Sequence, residues 1–172
     1  MIHMPDIPLV QRIRIRSITP GDRLRIWEIV TATGNFSEQE IATAMELIDE
    51  ALHQGEGSGY IAVVAEISEP AAAIEGYACY GPTPLTEGVF DLYWIAVHPR
   101  AQGLGIGRRL VEYVENDIRS RGGRMLLIET SSRDEYDATI AFYQRTNYEL
   151  AARIKNFYRV GDDKLIFIKE LK

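Results

Sequence analysis

The chain has 172 residues, a formal net charge of −6 and a single cysteine, Cys79. This length suits one domain with a sizeable core, and we predict a single domain over residues 1–172. The acidic charge argues against general nucleic-acid binding, because the phosphate backbone is held mainly by lysine and arginine. One cysteine excludes an internal disulfide, and the longest apolar run, residues 92–97, is too short to span a membrane. We therefore expect a soluble protein of the reducing cytoplasm, with no nucleic-acid and no membrane partner.

The first third of the chain predicts one strand followed by two helices. Strict alternation of apolar and polar residues over residues 11–16 is typical of a half-buried strand. Each helix begins with a capping box, in which Thr or Ser precedes an acidic residue by three positions: Thr19 with Asp22, and Ser37 with Glu40. The first helix should run from residue 20 to about residue 31, and the second should end at Gly55.

Three strands, a helix and a fourth strand follow. Residues 59–67 and 74–80 are rich in β-forming residues and are predicted to pair as an antiparallel hairpin. Residues 89–97 form a nearly continuous apolar run, which favours a strand in the centre of the sheet. The next helix should end at Gly122, and a strand over residues 125–129 should lie parallel to the central one, because a helical crossover joins them.

Alternate glycines stand between the central strand and the helix: Gly103, Gly105 and Gly107. Without Cβ atoms, such a turn brings successive backbone N–H groups close to an anion, and the positive end of the helix dipole adds to the attraction. We expect a phosphate to bind here, with a local positive patch from Arg100, Arg108 and Arg109. The metal-nucleotide motif is excluded because its Lys and its Ser or Thr are missing, and the spacing differs from that of dinucleotide sites.

The end of the chain predicts a helix and a closing hairpin. Several N-cap residues over residues 130–134 precede a helix through residue 145, and Asn147 suits a left-handed helix end. Strands over residues 148–154 and 164–170 complete the sheet.

The glycine turn resembles the coenzyme motif of the GNAT superfamily of acyl-CoA N-acyltransferases, Gln or Arg followed by x-x-Gly-x-Gly or Ala. The matching residues are Gln102, Gly103, Leu104, Gly105, Ile106 and Gly107. The order of predicted elements also matches this family over nearly the whole chain. The resemblance implies a mixed α/β fold with a mostly antiparallel twisted sheet of about seven strands, a central parallel pair splayed at the cofactor site, and about four helices.

The resemblance also implies how acetyl-CoA binds. Family members hold it through the end of the fourth strand and through the glycine turn, here Ile95, Ala96, Val97, Gln102, Gly103, Leu104, Gly105, Ile106, Gly107 and Arg108. The thioester then lies in the gap between the splayed strands, where a freed N–H stabilises the developing oxyanion.

A second stretch, residues 139–148, resembles the family motif Ala-x-x-Phe-Tyr-x-x-x-Gly-Phe. Tyr143 occupies the tyrosine position, which implies that it protonates the departing thiolate. Two residues depart from the family pattern, since Tyr136 replaces a frequent Asn and Asn147 replaces the usual Gly. The first departure removes a hydrogen bond near the pantetheine arm. We expect a hydroxyl to supply this bond instead: that of Ser131, Ser132 or Thr139.

Two acidic residues are candidates for the general base. Asp91 matches an acidic position that many family members use directly or through water, and Glu129 is the second candidate. The positions of both residues suit equally well an ordinary acidic residue at a strand end, without a role in catalysis. An α-amine, with a pKa of about 7.7 to 8.0, needs a base less than a lysine amine with a pKa of about 10.4.

We predict an N-acetyltransferase that moves an acetyl group from acetyl-CoA to a primary amine by direct attack, with a small amine or amino acid slightly preferred. A peptide N-terminus stays open as the acceptor, because residues 156–163 resemble the tyrosine-bearing loop with which protein N-terminal acetyltransferases of this family bind a peptide. A non-catalytic acyl-CoA-binding sensor and a homodimer also stay open. No metal is expected, since His3, His53 and His98 show no ligand spacing.

Overall fold

The computed structural model describes residues 12–68 and 72–172; His3 and residue 11 of the predicted first strand lie outside them. The described strands are β1 (Ile13–Ser17), β2 (Ile61–Ile67), β3 (Ala73–Pro82), β4 (Val89–Val97), β5 (Met125–Ser131), β6 (Glu149–Arg159) and β7 (Asp162–Glu170). The described α-helices are α1 (Arg23–Ala32), α2 (Glu38–Gln54), α3 (Ile106–Ser120) and α4 (Asp137–Arg145). The type and order of these elements are those predicted from the sequence.

The strands form one sheet in the order β1-β2-β3-β4-β5-β7-β6. Neighbouring strands pair antiparallel except β4 and β5, which are parallel and joined by α3. The apolar β4 lies in the middle of the sheet, as its composition predicts. The mixed sheet with a central parallel pair, which the family resemblance implies, is confirmed.

Helices cover both faces of the sheet. On one face α3 buries Leu110, Val114 and Ile118 completely in a core that extends from β1 to β7. On the other face α1 and α2 bury Ile26 and Ile48 against β2, β3 and β4. Each of these side chains stabilises the fold by about 1.5–3 kcal/mol through the apolar surface it removes from water. The second core therefore ends at β4, beside the opening described below.

Both predicted capping boxes form. The Asp22 carboxylate accepts a hydrogen bond from the backbone N–H of Thr19 at 2.7 Å, and the Glu40 carboxylate accepts one from Ser37 at 2.7 Å. The first helix differs from the prediction in its first turn, because Pro20–Asp22 is a 3₁₀ turn and α1 follows it. Such a tightened turn is common at a helix start.

The junction between β5 and α4 differs from the prediction. Thr130 and Ser131 are not caps of α4, because both continue β5 in register with β7. A 3₁₀ turn with Arg133 as its N-cap follows, so α4 begins later, at Asp137. The left-handed helix end is confirmed, since Asn147 has a φ of 66°.

The closing hairpin is longer than predicted. Only Val160 and Gly161 form the turn, because residues 156–159 belong to β6. The strand bulges there, with Asn156 in the left-handed conformation at a φ of 54°. The Asp163 carboxylate holds this bulge by accepting a hydrogen bond from the backbone N–H of Asn156 at 2.8 Å. The tyrosine-bearing segment is thus a fixed bulge within a strand and not a free loop.

Candidate functional site

A cavity of about 1220 Å³ opens where β4 and β5 separate. Its wall combines the C-terminal part of β4, the end of β5, the glycine turn, α4 and the α1–α2 loop. A site for one drug-sized ligand usually measures about 300–1,000 Å³. The cavity is therefore large enough for two molecules to meet.

The cavity exists because the two parallel strands diverge. β4 pairs with β5 only as far as Leu92; beyond it, β4 continues beside β3 and β5 continues beside β7. The backbone of residues 93–97 has no strand partner on the β5 side. Its polar groups are thus available to a bound molecule. The splayed pair that the resemblance implies is present.

A β-bulge at Tyr93 decides which side chains of β4 face which side of the sheet. The pairing with β3 skips Tyr93, so the alternation of faces changes at this residue. Leu92 and Ile95 pack in the core under α3, whereas Tyr93 and Trp94 both pack on the α1–α2 side. The bulge therefore places two consecutive aromatic rings on one side of the cavity.

In the glycine turn, six consecutive backbone N–H groups, from Gly103 to Arg108, donate to no described residue, and all of these residues except Leu104 line the cavity. Gly103 and Gly105 have φ values of 78° and 84°, which glycine adopts without strain. A Cβ on either glycine would meet no atom within 4 Å, so the space before them is open. Since the last of these N–H groups begin α3, the helix dipole also favours a negative charge here. These features suit the binding of an anion, and residues 103–108 are called the anion cradle below.

Side chains on the preceding residues support the cradle. Arg100 donates to the buried carboxylate of Glu75, with its Nε 3.1 Å from both oxygens. The Gln102 side chain donates to the carbonyl of Val97 at 3.3 Å, and the backbone N–H of Gln102 donates to Pro99. These contacts hold the start of the turn against β4.

The predicted positive patch is paired within the chain. Arg108 donates to Glu112 at 2.9 Å, and Arg109 lies 3.9 Å from the same carboxylate. Because Arg100 is likewise paired, the attraction for a phosphate rests mainly on the backbone N–H groups and the helix dipole.

Tyr143 of α4 lines the same cavity. Its ring packs against Phe142, Tyr148 and Phe167, with centroid distances of 5.5, 5.8 and 5.9 Å. Its hydroxyl makes no hydrogen bond with a described residue, and burial raises the pKa of Tyr143. The phenol is therefore protonated at neutral pH, held rigidly and free to donate.

The two candidate bases have different positions. Glu129 lines the cavity from β5, two residues before the strand ends, and forms an ion pair with Lys164. Asp91 does not line it; this residue lies on the paired part of β4 and accepts a hydrogen bond from the Thr83 hydroxyl at 2.6 Å. Burial raises the pKa of Asp91, and the hydrogen bond from Thr83 opposes this shift. The structure brings Glu129, but not Asp91, to the cavity with Tyr143.

The α1–α2 side of the cavity contains residues that sequence reasoning missed. Phe36, on the α1–α2 loop, packs edge-to-face on Trp94 with 5.0 Å between ring centroids. Tyr136 donates its hydroxyl to the carbonyl of Asn35 at 3.1 Å, and Tyr158 on the β6 bulge completes this aromatic wall. No local pattern marks Asn35, Phe36 or Trp94, because only the fold brings them to the cavity.

Most of the residues that the resemblance implies for coenzyme binding line the cavity: Ile95, Ala96, Val97, Gln102, Gly103, Gly105, Ile106, Gly107 and Arg108. Leu104 does not. Among the hydroxyls considered for the missing Asn, Ser131 donates to Asp162 at 2.5 Å and Ser132 accepts the backbone N–H of Asp163 at 2.8 Å. Thr139 lines the cavity and is the hydroxyl left for a ligand.

Across residues 12–68 and 72–172, no three His, Cys, Asp or Glu side chains are arranged to hold a metal ion. Within the same residues, no helix combines the length and the apolar character needed to cross a membrane. Cys79 is buried in the core, and burial raises the pKa of its thiol to about 12. This thiol is not a nucleophile at neutral pH.

A mixed sheet whose central parallel strands splay at a glycine-rich helix start defines an N-acyltransferase of the GNAT type. The model of the Acetyltransferase (GNAT) family matches residues 23–148. The chain belongs to this family.

Solved structures agree with this assignment. A GNAT-family protein from Desulfovibrio desulfuricans is 44% identical, with a TM-score of 0.87 over 93% of this chain and 99% of that one. The ribosomal-protein-S18-alanine N-acetyltransferase of Escherichia coli is 22% identical, with a TM-score of 0.71 over 93% and 94% of the two chains. A Salmonella typhimurium protein solved with its cofactor acetyl-CoA is 18% identical, with a TM-score of 0.72 over 94% and 95%. The last two share the fold. No curated protein sequence matches the chain significantly.

Proposed function

We propose that this protein transfers the acetyl group of acetyl-CoA to a primary amine by direct attack. The observation that carries the proposal is the cradle of free N–H groups from Gly103 to Arg108, which opens into the β4–β5 gap lined by Tyr143. The cradle suits a pyrophosphate, and the open backbone of residues 93–97 suits the amide-containing pantetheine arm. The compartment we propose is the cytoplasm, because a lone buried thiol needs no oxidising environment.

The pyrophosphate, the pantetheine arm and the thioester of the coenzyme each have a matching part of the site. Backbone N–H groups from Gly103 to Arg108 hold the pyrophosphate, and Thr139 binds the pantetheine arm in place of the Asn found in many family members. When bound, acetyl-CoA supplies an activated thioester carbonyl. A backbone N–H on the free edge of β4 then stabilises the negative charge that develops on the carbonyl oxygen.

Tyr143 donates the proton that the departing thiolate needs. Burial raises the pKa of Tyr143, so the phenol keeps its proton until the thiolate, with a pKa of about 8.5, forms beside it. Packing against Tyr148 and Phe167 holds the hydroxyl in place, which limits the entropy cost of the transfer.

Glu129 accepts the proton from the attacking amine, directly or through one water molecule. What supports this role is its place on the cavity wall, two residues before the end of β5. Asp91 remains the second candidate and reaches the cavity only through water, because Thr83 occupies its carboxylate and its side chain does not line the cavity.

The acceptor we propose is a small primary amine. The α1–α2 side of the cavity carries aromatic rings and several carboxylates: those of Glu40, Glu129, Glu135 and Asp162. Arg133 and Arg159 lie 3.3 and 3.7 Å from Asp162, so both are already paired. An amino acid would need a free cation for its carboxylate, whereas a cationic amine needs only acidic and aromatic contacts. An amine without a carboxylate therefore fits this side better than an amino acid.

A peptide N-terminus is the second candidate acceptor. The supporting observation is Tyr158, which the pinned β6 bulge holds on the cavity wall, where it can contact a peptide backbone. An α-amine would also need less help from Glu129, because its pKa is only about 7.7 to 8.0.

Release of free thiol from acetyl-CoA tests the proposal. The acceptor panel contains alkyl and aryl monoamines, diamines, amino acids and short peptides, with a reaction without acceptor as the control. We expect release with amines that lack a carboxylate and little release with amino acids. Release with peptides alone would favour the second candidate. Coenzyme binding without release for any acceptor would favour a non-catalytic sensor and contradict the proposal.

A further inference from the structure

Five basic side chains line the cavity among the described residues, and four of them already pair with carboxylates. The pairs are Arg108 with Glu112, Arg133 with Asp162, Arg159 with Asp162, and Lys169 with Glu115. The fifth is Arg145, which is exposed in the last turn of α4 and makes no ion pair or hydrogen bond with a described residue. A free guanidinium binds an anion without first giving up an internal contact.

Arg145 lines the same cavity as the glycine turn. Phe142, three residues earlier on α4, packs on Gly107 of the cradle, where a Cβ would lie 3.6 Å from the ring. Residues three apart share one side of a helix, and one turn advances by about 5.4 Å. Arg145 therefore lies about one helical turn along α4 from the residue that packs on the cradle, and it lines the same cavity as Thr146 and Glu112.

We propose that Arg145 binds the 3′-phosphate of coenzyme A and makes the enzyme select coenzyme A over 3′-dephospho-coenzyme A. The inference rests on the proposed function, in which acetyl-CoA is the acyl donor. Coenzyme A carries this phosphate on the ribose next to the pyrophosphate, so a coenzyme held by the cradle brings a second anion close to it. A phosphate monoester matches the planar fork of an arginine, which can donate two parallel hydrogen bonds.

Arg108 does not offer an unpaired guanidinium as Arg145 does, although its backbone N–H belongs to the cradle. Its Nε donates to Glu112 at 2.9 Å, and a phosphate would have to displace that carboxylate. Arg109 does not line the cavity and shares the same acid. Among the described basic side chains that line the cavity, only Arg145 can bind an anion without breaking an internal ion pair.

Calorimetric titration with coenzyme A and with 3′-dephospho-coenzyme A tests the assignment without requiring turnover. The variants are Arg145→Gln, which removes the charge, and Arg145→Lys, which keeps it without the fork. Arg14→Gln is the matched control, because it removes the same charge from an exposed arginine of β1 that does not line the cavity.

The wild type and Arg14→Gln should bind coenzyme A about tenfold more tightly than the dephospho form. Arg145→Gln should bring this ratio close to one while its affinity for the dephospho form stays unchanged, and Arg145→Lys should give an intermediate ratio. An unchanged affinity ratio in Arg145→Gln, or an equal loss of affinity for both ligands, would overturn the assignment of Arg145. The proposed function would still stand. If the wild type bound neither ligand, the proposed function itself would fail.

Discussion

The Tyr136 hydroxyl donates a hydrogen bond to the backbone carbonyl of Asn35 at 3.1 Å, across 101 positions of sequence. Both residues line the cavity, and the buried ring of Tyr136 lies 5.4 Å below the guanidinium of Arg133. The bond joins the start of α4 to the α1–α2 loop. It therefore fixes the side of the cavity where we propose that the amine binds.

Tyr136→Phe should weaken acceptor binding and leave coenzyme binding intact. The ring keeps its packing, but the loop loses a hydrogen bond worth about 0.5–1.5 kcal/mol, which corresponds to about a two- to tenfold higher KM for the amine. Steady-state kinetics with the best acceptor, together with coenzyme titration, measure both effects. Tyr60→Phe, which changes a tyrosine outside the cavity wall, is the control. An unchanged KM for the amine would show that the bond does not shape the acceptor site.

Tyr143→Phe should slow acetyl transfer by about a hundred- to ten-thousand-fold, because it removes a general acid. Coenzyme affinity should hold, since the hydroxyl acts in the transition state and the ring packing is retained. The measurement is single-turnover transfer, which avoids masking by slow product release. An unchanged transfer rate would remove Tyr143 from the mechanism and leave water as the proton donor.

Gly105→Val should abolish coenzyme binding in a folded protein. The residue has a φ of 84°, and its Cβ would project into the open space before the cradle. Gly122→Val is the matched control, because this glycine has a φ of 77°, an equally open Cβ position and no place on the cavity wall. Both variants should lose about 1–2 kcal/mol of stability through left-handed strain, and only Gly105→Val should lose the coenzyme. Calorimetry and urea unfolding separate these effects; normal binding by Gly105→Val would place the phosphate elsewhere.

Glu129→Gln should lower kcat with a poorly ionisable, high-pKa amine by about a hundredfold or more, whereas Asp91→Asn should have a smaller effect. A base acts when deprotonated, so activity falls as pH falls through its pKa. Burial raises the pKa of Asp91, so an acid limb that belonged to Asp91 would lie above about 3.9 and would vanish in Asp91→Asn. Rate profiles of both variants decide between the two acids.

The raised pKa of Asp91 also predicts how the stability of the fold depends on pH. The effect has the opposite sign to that of an acid in a salt bridge, whose folded-state pKa is lowered. Because its folded-state pKa lies above its unfolded-state value, the stabilisation from protonated Asp91 is present below the unfolded value and lost as pH rises through the folded one. Asp91→Asn should therefore not lower the melting temperature at neutral pH. A clear loss of stability at pH 7, measured by thermal unfolding, would contradict this account.

Acetyl-CoA should stabilise the fold by about 2.7 kcal/mol at a hundred times its dissociation constant, because the cradle exists only in the folded chain. Urea unfolding with and without the ligand measures the difference. Pantetheine, which lacks the pyrophosphate, is the control and should stabilise far less at the same concentration. The absence of any shift with saturating acetyl-CoA would remove the coenzyme from the proposed function.

Local patterns in the sequence by themselves determined the helices, most strand positions and the anion cradle. The capping boxes at Thr19 and Ser37 and the glycines before α3 act within a few residues, so their geometry follows from nearby backbone chemistry. The continuous apolar run of β4 likewise marked a central strand, since both faces of such a strand are buried.

Only the tertiary structure decided how the cavity is composed. The separation of β4 from β5 depends on which neighbours each strand keeps after Leu92, and the bulge at Tyr93 depends on the register with β3. Our proposal of Glu129 rather than Asp91 as the base rests on that separation, because Asp91 lies on the paired part of β4 and does not line the cavity, whereas Glu129 does. These relationships join distant segments, and their geometry is set by packing and pairing energies that no short window of sequence contains.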